Sequence, residues 1–101
     1  MSVLMTLRVK ADPARLEQYA AENKDRLKSI SSRGRDAGAA HHAFYGSDDG
    51  TVMVVDEWDS PESFRSFFEG NAEIGEVMQA VGAEGEPEVS FWRKLETGDE
   101  F

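Results

Sequence analysis

Val52-Met53-Val54-Val55 decides how this chain folds, because the run is too short for a buried helix and is apolar at every position. Read as a strand, it points Val52 and Val54 to one side and Met53 and Val55 to the other. Val3-Leu4-Met5-Thr6-Leu7 shows the same habit, with Thr6 as its only polar member. A sheet that is apolar on both faces has to be covered on both. The helical stretches in 101 residues suffice for one face. A second copy of the chain is the natural cover for the other.

Working outward from that strand, residues 39–46 (Ala-Ala-His-His-Ala-Phe-Tyr-Gly) read as strand two and residues 51–58 as strand three. Ser47-Asp48-Asp49-Gly50 is the hairpin turn between them, with Gly50 free to take a positive φ. Residues 3–9 form strand one. Asp12 caps a helix with Pro13 at its first position, where a missing N–H costs nothing. Leu16, Tyr19, Ala20, Asn23, Leu27 and Ile30 then recur at helical spacing, which predicts one long amphipathic helix ending at Ser31-Ser32-Arg33-Gly34. After strand three, Asp59-Ser60-Pro61-Glu62 opens a second helix with the apolar face Phe64, Phe67, Phe68, Ile74, Val77, Met78 and Val81. Gly70-Asn71 predicts a kink or a restart within it. Gly82 to Pro87 reads as a loop and Val89 to Leu95 as strand four, leaving an acidic tail from Glu96 to Phe101. The expectation is one domain over residues 1–95 followed by that tail at 96–101.

The order β-α-β-β-α-β is the ferredoxin-like arrangement, of α+β class. Right-handed crossovers place two helices on one face of a four-stranded antiparallel sheet. The opposite face would exceed the few hundred Å2 of contiguous apolar surface that monomers tolerate, so a sheet-to-sheet homodimer is expected.

Composition narrows the function. A net charge of -9 argues against a polyanionic partner. The one basic cluster, Lys24, Arg26, Lys28, Arg33 and Arg35, is interleaved with Glu22, Asp25 and Asp36, as on a solvated helix face. With no cysteine there is no disulfide, thiolate nucleophile or Cys-ligated metal. No apolar run approaches membrane-spanning length, and Met-Ser-Val-Leu-Met lacks the features of a signal peptide, so a cytoplasmic address is expected.

Once the order is in place, Val54-Val55-Asp56-Glu57-Trp58-Asp59-Ser60-Pro61-Glu62-Ser63-Phe64 resembles the junction of strand three and helix two in the dimeric α+β barrel superfamily, in particular its antibiotic biosynthesis monooxygenase (ABM) family. That junction carries an acidic residue, a Trp two further on, a Ser, and a helix opening on small and aromatic residues. Asp56, Trp58 and Ser60 fall on those positions. The resemblance implies a homodimer and a pocket for a small aromatic or quinone-like compound, oxygenated without a cofactor. Relatives without an assigned reaction make a non-catalytic small-molecule-binding or stress-response barrel the alternative. The haem-degrading branch uses an Asn on strand one and a His on helix two, and this chain has neither.

Within that frame the candidate catalytic residues are His41, His42, Asp56 and Asn23. The two histidines are adjacent on a strand and so face opposite sides. A two-residue turn would set His41 opposite Asp56, and a turn longer by one residue would set His42 there. Either pairing could orient the ring as a general base, or be a cross-strand contact worth about 0.2–1 kcal/mol. Two histidines pointing apart do not chelate, so no metal is expected. Asn23 interrupts an apolar stripe. A buried amide needs a partner, and either a ligand or the backbone could supply it. Trp58, Tyr45, Phe67 and Phe68 are the candidate substrate-binding wall.

Overall fold

The computed structural model describes residues 2–101. Its elements run β1 (Val3–Lys10), α1 (Pro13–Glu22), α2 (Lys24–Ala37), β2 (Ala39–Gly46), β3 (Thr51–Trp58), α3 (Pro61–Glu69), α4 (Ala72–Ala80) and β4 (Glu84–Trp92). The strands form one sheet in the order β2-β3-β1-β4, with every neighbouring pair antiparallel. This is the ferredoxin-like arrangement, with each expected helix divided in two.

The divisions share a cause. Asn23 donates its side-chain amide to the carbonyl of Tyr19 at 3.0 Å, and Asn71 donates to that of Phe67 at 2.7 Å. In both cases the side chain satisfies a carbonyl left open where a helix stops. The first helix was expected to run unbroken through Asn23; it ends there, and Asn23 spends its amide on its own backbone. The restart at Asn71 is as read from Gly70-Asn71. Asp12 and Ser60 cap α1 and α3, accepting from the N–H groups of Ala14 and Ser63.

Helix α2 also continues past its expected end. Gly34 is buried inside it, and a Cβ there would stand 3.5 Å from the Phe67 ring and 3.9 Å from Trp58. The chain turns instead at Gly38, whose φ of 126° disfavours any side chain and where an added Cβ would stand 2.7 Å from the Asp59 carboxylate.

Met5, Leu7 and Val9 of β1, Val52 and Trp58 of β3, Leu16, Phe64 and Val81 make the core between helices and sheet. The other sheet face carries Leu4, Thr6, Ala43, Tyr45, Met53, Val55 and Trp92, with Leu4, Tyr45 and Trp92 exposed. The ion pairs Arg8–Glu88 and Lys10–Glu84 edge it at one end. Strand four begins at Glu84, earlier than expected, and ends at Trp92. Its register with β1 shifts between Glu84 and Glu88, so Pro87 falls in an irregular stretch of an edge strand, where its missing N–H is tolerated. Residues 93–101 are exposed and hold no regular structure.

Arg26 and Arg33 of α2 both bond Glu73 of α4, and Arg26 also reaches Glu76. These arginines, Arg33 foremost, hold the Glu73 carboxyl below its ordinary value. A depressed carboxyl adds stability above its unfolded pKa and loses it as pH falls through the folded one. The melting-temperature advantage of the wild type over Glu73→Gln should therefore be full at neutral pH. It should shrink once the pH drops below the ordinary Glu value of 4.5. Thermal melts of both proteins at several pH values check this.

Candidate functional site

The hairpin determines which histidine meets the carboxylate. Asp48-Asp49-Gly50 forms a three-residue turn, closed by the Ser47 N–H on the Thr51 carbonyl at 2.9 Å, with Gly50 at φ 86°. That length sets Phe44 opposite Val54 and His42 opposite Asp56. The register shifts between Ala39 and His41, so Ala39 still pairs with Trp58. His42 therefore faces the helices, and His41, opposite Glu57, faces away.

Asp56 is the one buried polar or charged residue among those described, 6% exposed. Both its oxygens are occupied: Oδ1 lies 2.7 Å from His42 Nδ1, and Oδ2 accepts the Trp58 indole N–H at 3.1 Å. A charge that close to the core is tolerable because it is bonded on both sides. Trp58, 1% exposed, is packed edge-on against Phe64 and tilted against Phe67, so the carboxylate has little freedom to turn. With Asp56 ionised, the proton of a neutral His42 belongs on Nδ1. Nε2 is then left as an acceptor, and among the described residues no protein group bonds it.

His42 and Asp56 lie on the wall of a cavity of about 110 Å3 between sheet and helices. Met5, Leu7 and Val54 line its sheet side, Leu27 and Ile30 come from α2, and Phe68 and Met78 from α3 and α4. Every lining residue except His42 and Asp56 is apolar. Two of them are exposed, His42 (its side chain 38%) and Phe44 (42%), so the mouth lies along β2. Their rings meet edge-on, with centroids 5.1 Å apart.

The structure thus brings together His42, Asp56 and Phe68 of the expected residues, with Trp58 bracing Asp56 from beneath. The other expected residues lie elsewhere. His41 and Tyr45 project from the opposite sheet face, because the three-residue turn put His42 inward and Tyr45 shares the parity of His41. Asn23 does not reach the cavity, since its amide is bound to the end of α1. Trp58 and Phe67 lie behind the wall instead of on it. Phe44, Leu27, Ile30 and Met78 were not singled out as pocket residues. Phe44 was the most accessible omission, being two residues from His42 on the same strand. Among the described residues, no three His, Cys, Asp or Glu side chains approach closely enough to hold a metal ion. Among the described residues, no helix is long and apolar enough to cross a membrane.

Comparison with solved structures agrees with the fold. A monooxygenase of Streptomyces coelicolor in complex with nanaomycin D superposes with a TM-score of 0.67 at 20% identity, over 95% of this chain and 89% of that one. A protein of Bordetella bronchiseptica, provisionally named an antibiotic biosynthesis monooxygenase, gives a TM-score of 0.65 at 17% identity, over 93% and 97%. A dimeric ferredoxin-like protein from an uncultured marine organism gives 0.63 at 15% identity, over 99% and 93%. No family model and no curated protein matches the chain. The chain shares the ferredoxin-like fold of these structures.

Proposed function

We propose that this protein is a cofactor-independent monooxygenase of a small aromatic, phenolic compound, with His42 as general base. The observation that supports the reading is that the hydrogen-bonded His42–Asp56 couple belongs to the wall of an otherwise apolar cavity. Asp56 holds the ring with Nε2 free, and the developing imidazolium is stabilised by the adjacent carboxylate. His42 takes the phenolic proton, and the electron-rich phenolate reduces dioxygen. One oxygen atom enters the ring and the other leaves as water, so that phenol plus O2 balances as quinone plus water. The substrate supplies all four electrons. The apolar walls keep bulk water from the intermediates.

Oxygen uptake with a panel of phenols and hydroquinones tests the proposal. His42→Ala should lose about 100-fold or more of the wild-type rate, in line with the contribution of general bases. His41→Ala, on the far face, should retain it. Equal rates in wild type and His42→Ala would remove the oxygenase reading.

The chain is also inferred to pair through its open sheet faces. Leu4, Tyr45 and Trp92 are exposed there around half-buried Met53 and Val55. A stable interface hides about 800 Å2 per partner, and this face is the broad apolar surface available. Sedimentation should give twice the chain mass, and Val55→Lys should yield a folded single chain. A wild type that sediments as one chain at micromolar concentration would contradict the pairing.

A further inference from the structure

The surface of the cavity between sheet and helices suits a molecule with no hydrogen-bonding group at all. We infer that it is a chamber for dioxygen, the second reactant of the proposed oxygenation, and that the phenolic compound meets His42 from the solvent side at its mouth. The role of the gas rests on that reading of the function, whereas the binding of a small apolar gas stands or falls on the cavity alone.

Three observations carry it. The first is polarity. Although His42 and Asp56 belong to the wall, no polar atom reaches the surface of the cavity. Asp56 gives both its oxygens to His42 and Trp58. A hydroxyl, carbonyl or amine inside would be buried without a hydrogen-bond partner, at a loss of about tenfold or more in affinity. Dioxygen is uncharged, apolar and barely hydrated, so it loses nothing on entering. The second is size. An apolar cavity of about 150 Å3 takes up benzene or xenon, and this one measures about 110 Å3. An aromatic ring has to push the wall back, whereas a diatomic gas enters without displacing it. The third is position. His42 and Phe44 both line the cavity and are exposed, so they form its boundary with solvent. A compound lying across that mouth has the contents of the cavity against its inner face, with no water between them.

Dioxygen is paramagnetic and speeds the relaxation of the methyl groups it touches, so methyl NMR under oxygen pressure reads its position. Ile30, Ile74 and Met78, which line the cavity, should gain several-fold more relaxation than Leu95, which is 55% exposed and meets dissolved gas freely. Exposure alone predicts the reverse order. Xenon, which is diamagnetic and occupies apolar cavities, should displace the oxygen and return the lining methyls toward their oxygen-free rates. Val54→Phe, which fills the cavity from its sheet side, should abolish the effect. In oxygen-uptake assays the same variant should raise KM for oxygen several-fold, and more than KM for the phenol. Should that variant unfold, xenon added to the wild type should raise the apparent KM for oxygen in its place. Lining methyls relaxed no more than those of Leu95 overturn the inference. So does entry of phenol in place of the gas, seen as shifts of the lining methyls that xenon reverses. An unchanged KM for oxygen in both uptake tests overturns the role assigned to the gas. Relaxation that xenon reverses, without oxygen uptake on any phenol, leaves the gas site standing and removes the oxygenase reading.

Discussion

Trp58→Ala is expected to lower the unfolding free energy by about 4–8 kcal/mol, of which about 3–5 kcal/mol is the usual cost of emptying a large aromatic site. Trp58 is 1% exposed and packs on both Phe64 and Phe67. Its loss does more than leave a void, because the indole N–H is the donor that satisfies Asp56 Oδ2. A buried carboxylate oxygen stripped of its donor adds about 1–3 kcal/mol. Against a total stability of about 5–15 kcal/mol for a domain of this kind, the variant should be at or near unfolding at physiological temperature. Urea denaturation checks it, and Trp58→Phe separates the two contributions. Phenylalanine keeps most of the packing but has no N–H, so its cost should approximate the hydrogen-bond part, about 1–3 kcal/mol. A loss below about 1.5 kcal/mol in the alanine variant would mean that Trp58 is not the brace described here.

Side-chain parity explains what is legible in the sequence. Strands two and three fall on the residues read from alternation, and Ser60-Pro61 opens α3 as its capping chemistry requires. Parity also showed that only one of the two histidines could face inward. It could not say which, because Ser47-Asp48-Asp49-Gly50 accommodates turns of two or three residues and one residue of turn length inverts the answer. Tyr45 was carried outward by the same inversion. The break at Asn23 was hidden because that residue occupies a position on the apolar stripe, and nothing local distinguishes an amide awaiting a ligand from one capping its own helix. Asn71 performs the same task and was visible only because Gly70 stands before it. The start of β4 was obscured by Pro87, which argues against a central strand but not against an irregular stretch at a sheet edge. The cavity itself was beyond reach, since empty volume depends on how α2 and α4 settle over the sheet, and periodicity does not encode that distance.

The second large effect falls on chemistry and leaves the fold nearly intact. Asp56→Asn retains the size of the side chain, and its amide oxygen can still accept from the Trp58 indole. Its NH2 then lies where Oδ1 now meets His42 Nδ1 at 2.7 Å. That amide donates, so Nδ1 has to accept, and the imidazole proton moves to Nε2. The nitrogen that the proposed reaction uses as its base would become a donor, unable to take a phenolic proton. Wrong-tautomer substitutions of this type cost about 10⁴-fold in a serine protease triad, where the geometry is otherwise unchanged. For a single base–carboxylate couple, a loss of about 10²–10⁴-fold in oxygen uptake is expected. Stability should change by no more than about 1–2 kcal/mol, because the number of hydrogen bonds is conserved while one loses its charge. NMR of the His42 ring nitrogens reads the tautomer directly, with Nδ1 protonated in the wild type and Nε2 in the variant. A tautomer switch with undiminished turnover would show that proton transfer to His42 is not part of the reaction. Loss of turnover with an unchanged tautomer would place the role of Asp56 in holding the ring at its angle, not in choosing which nitrogen is free.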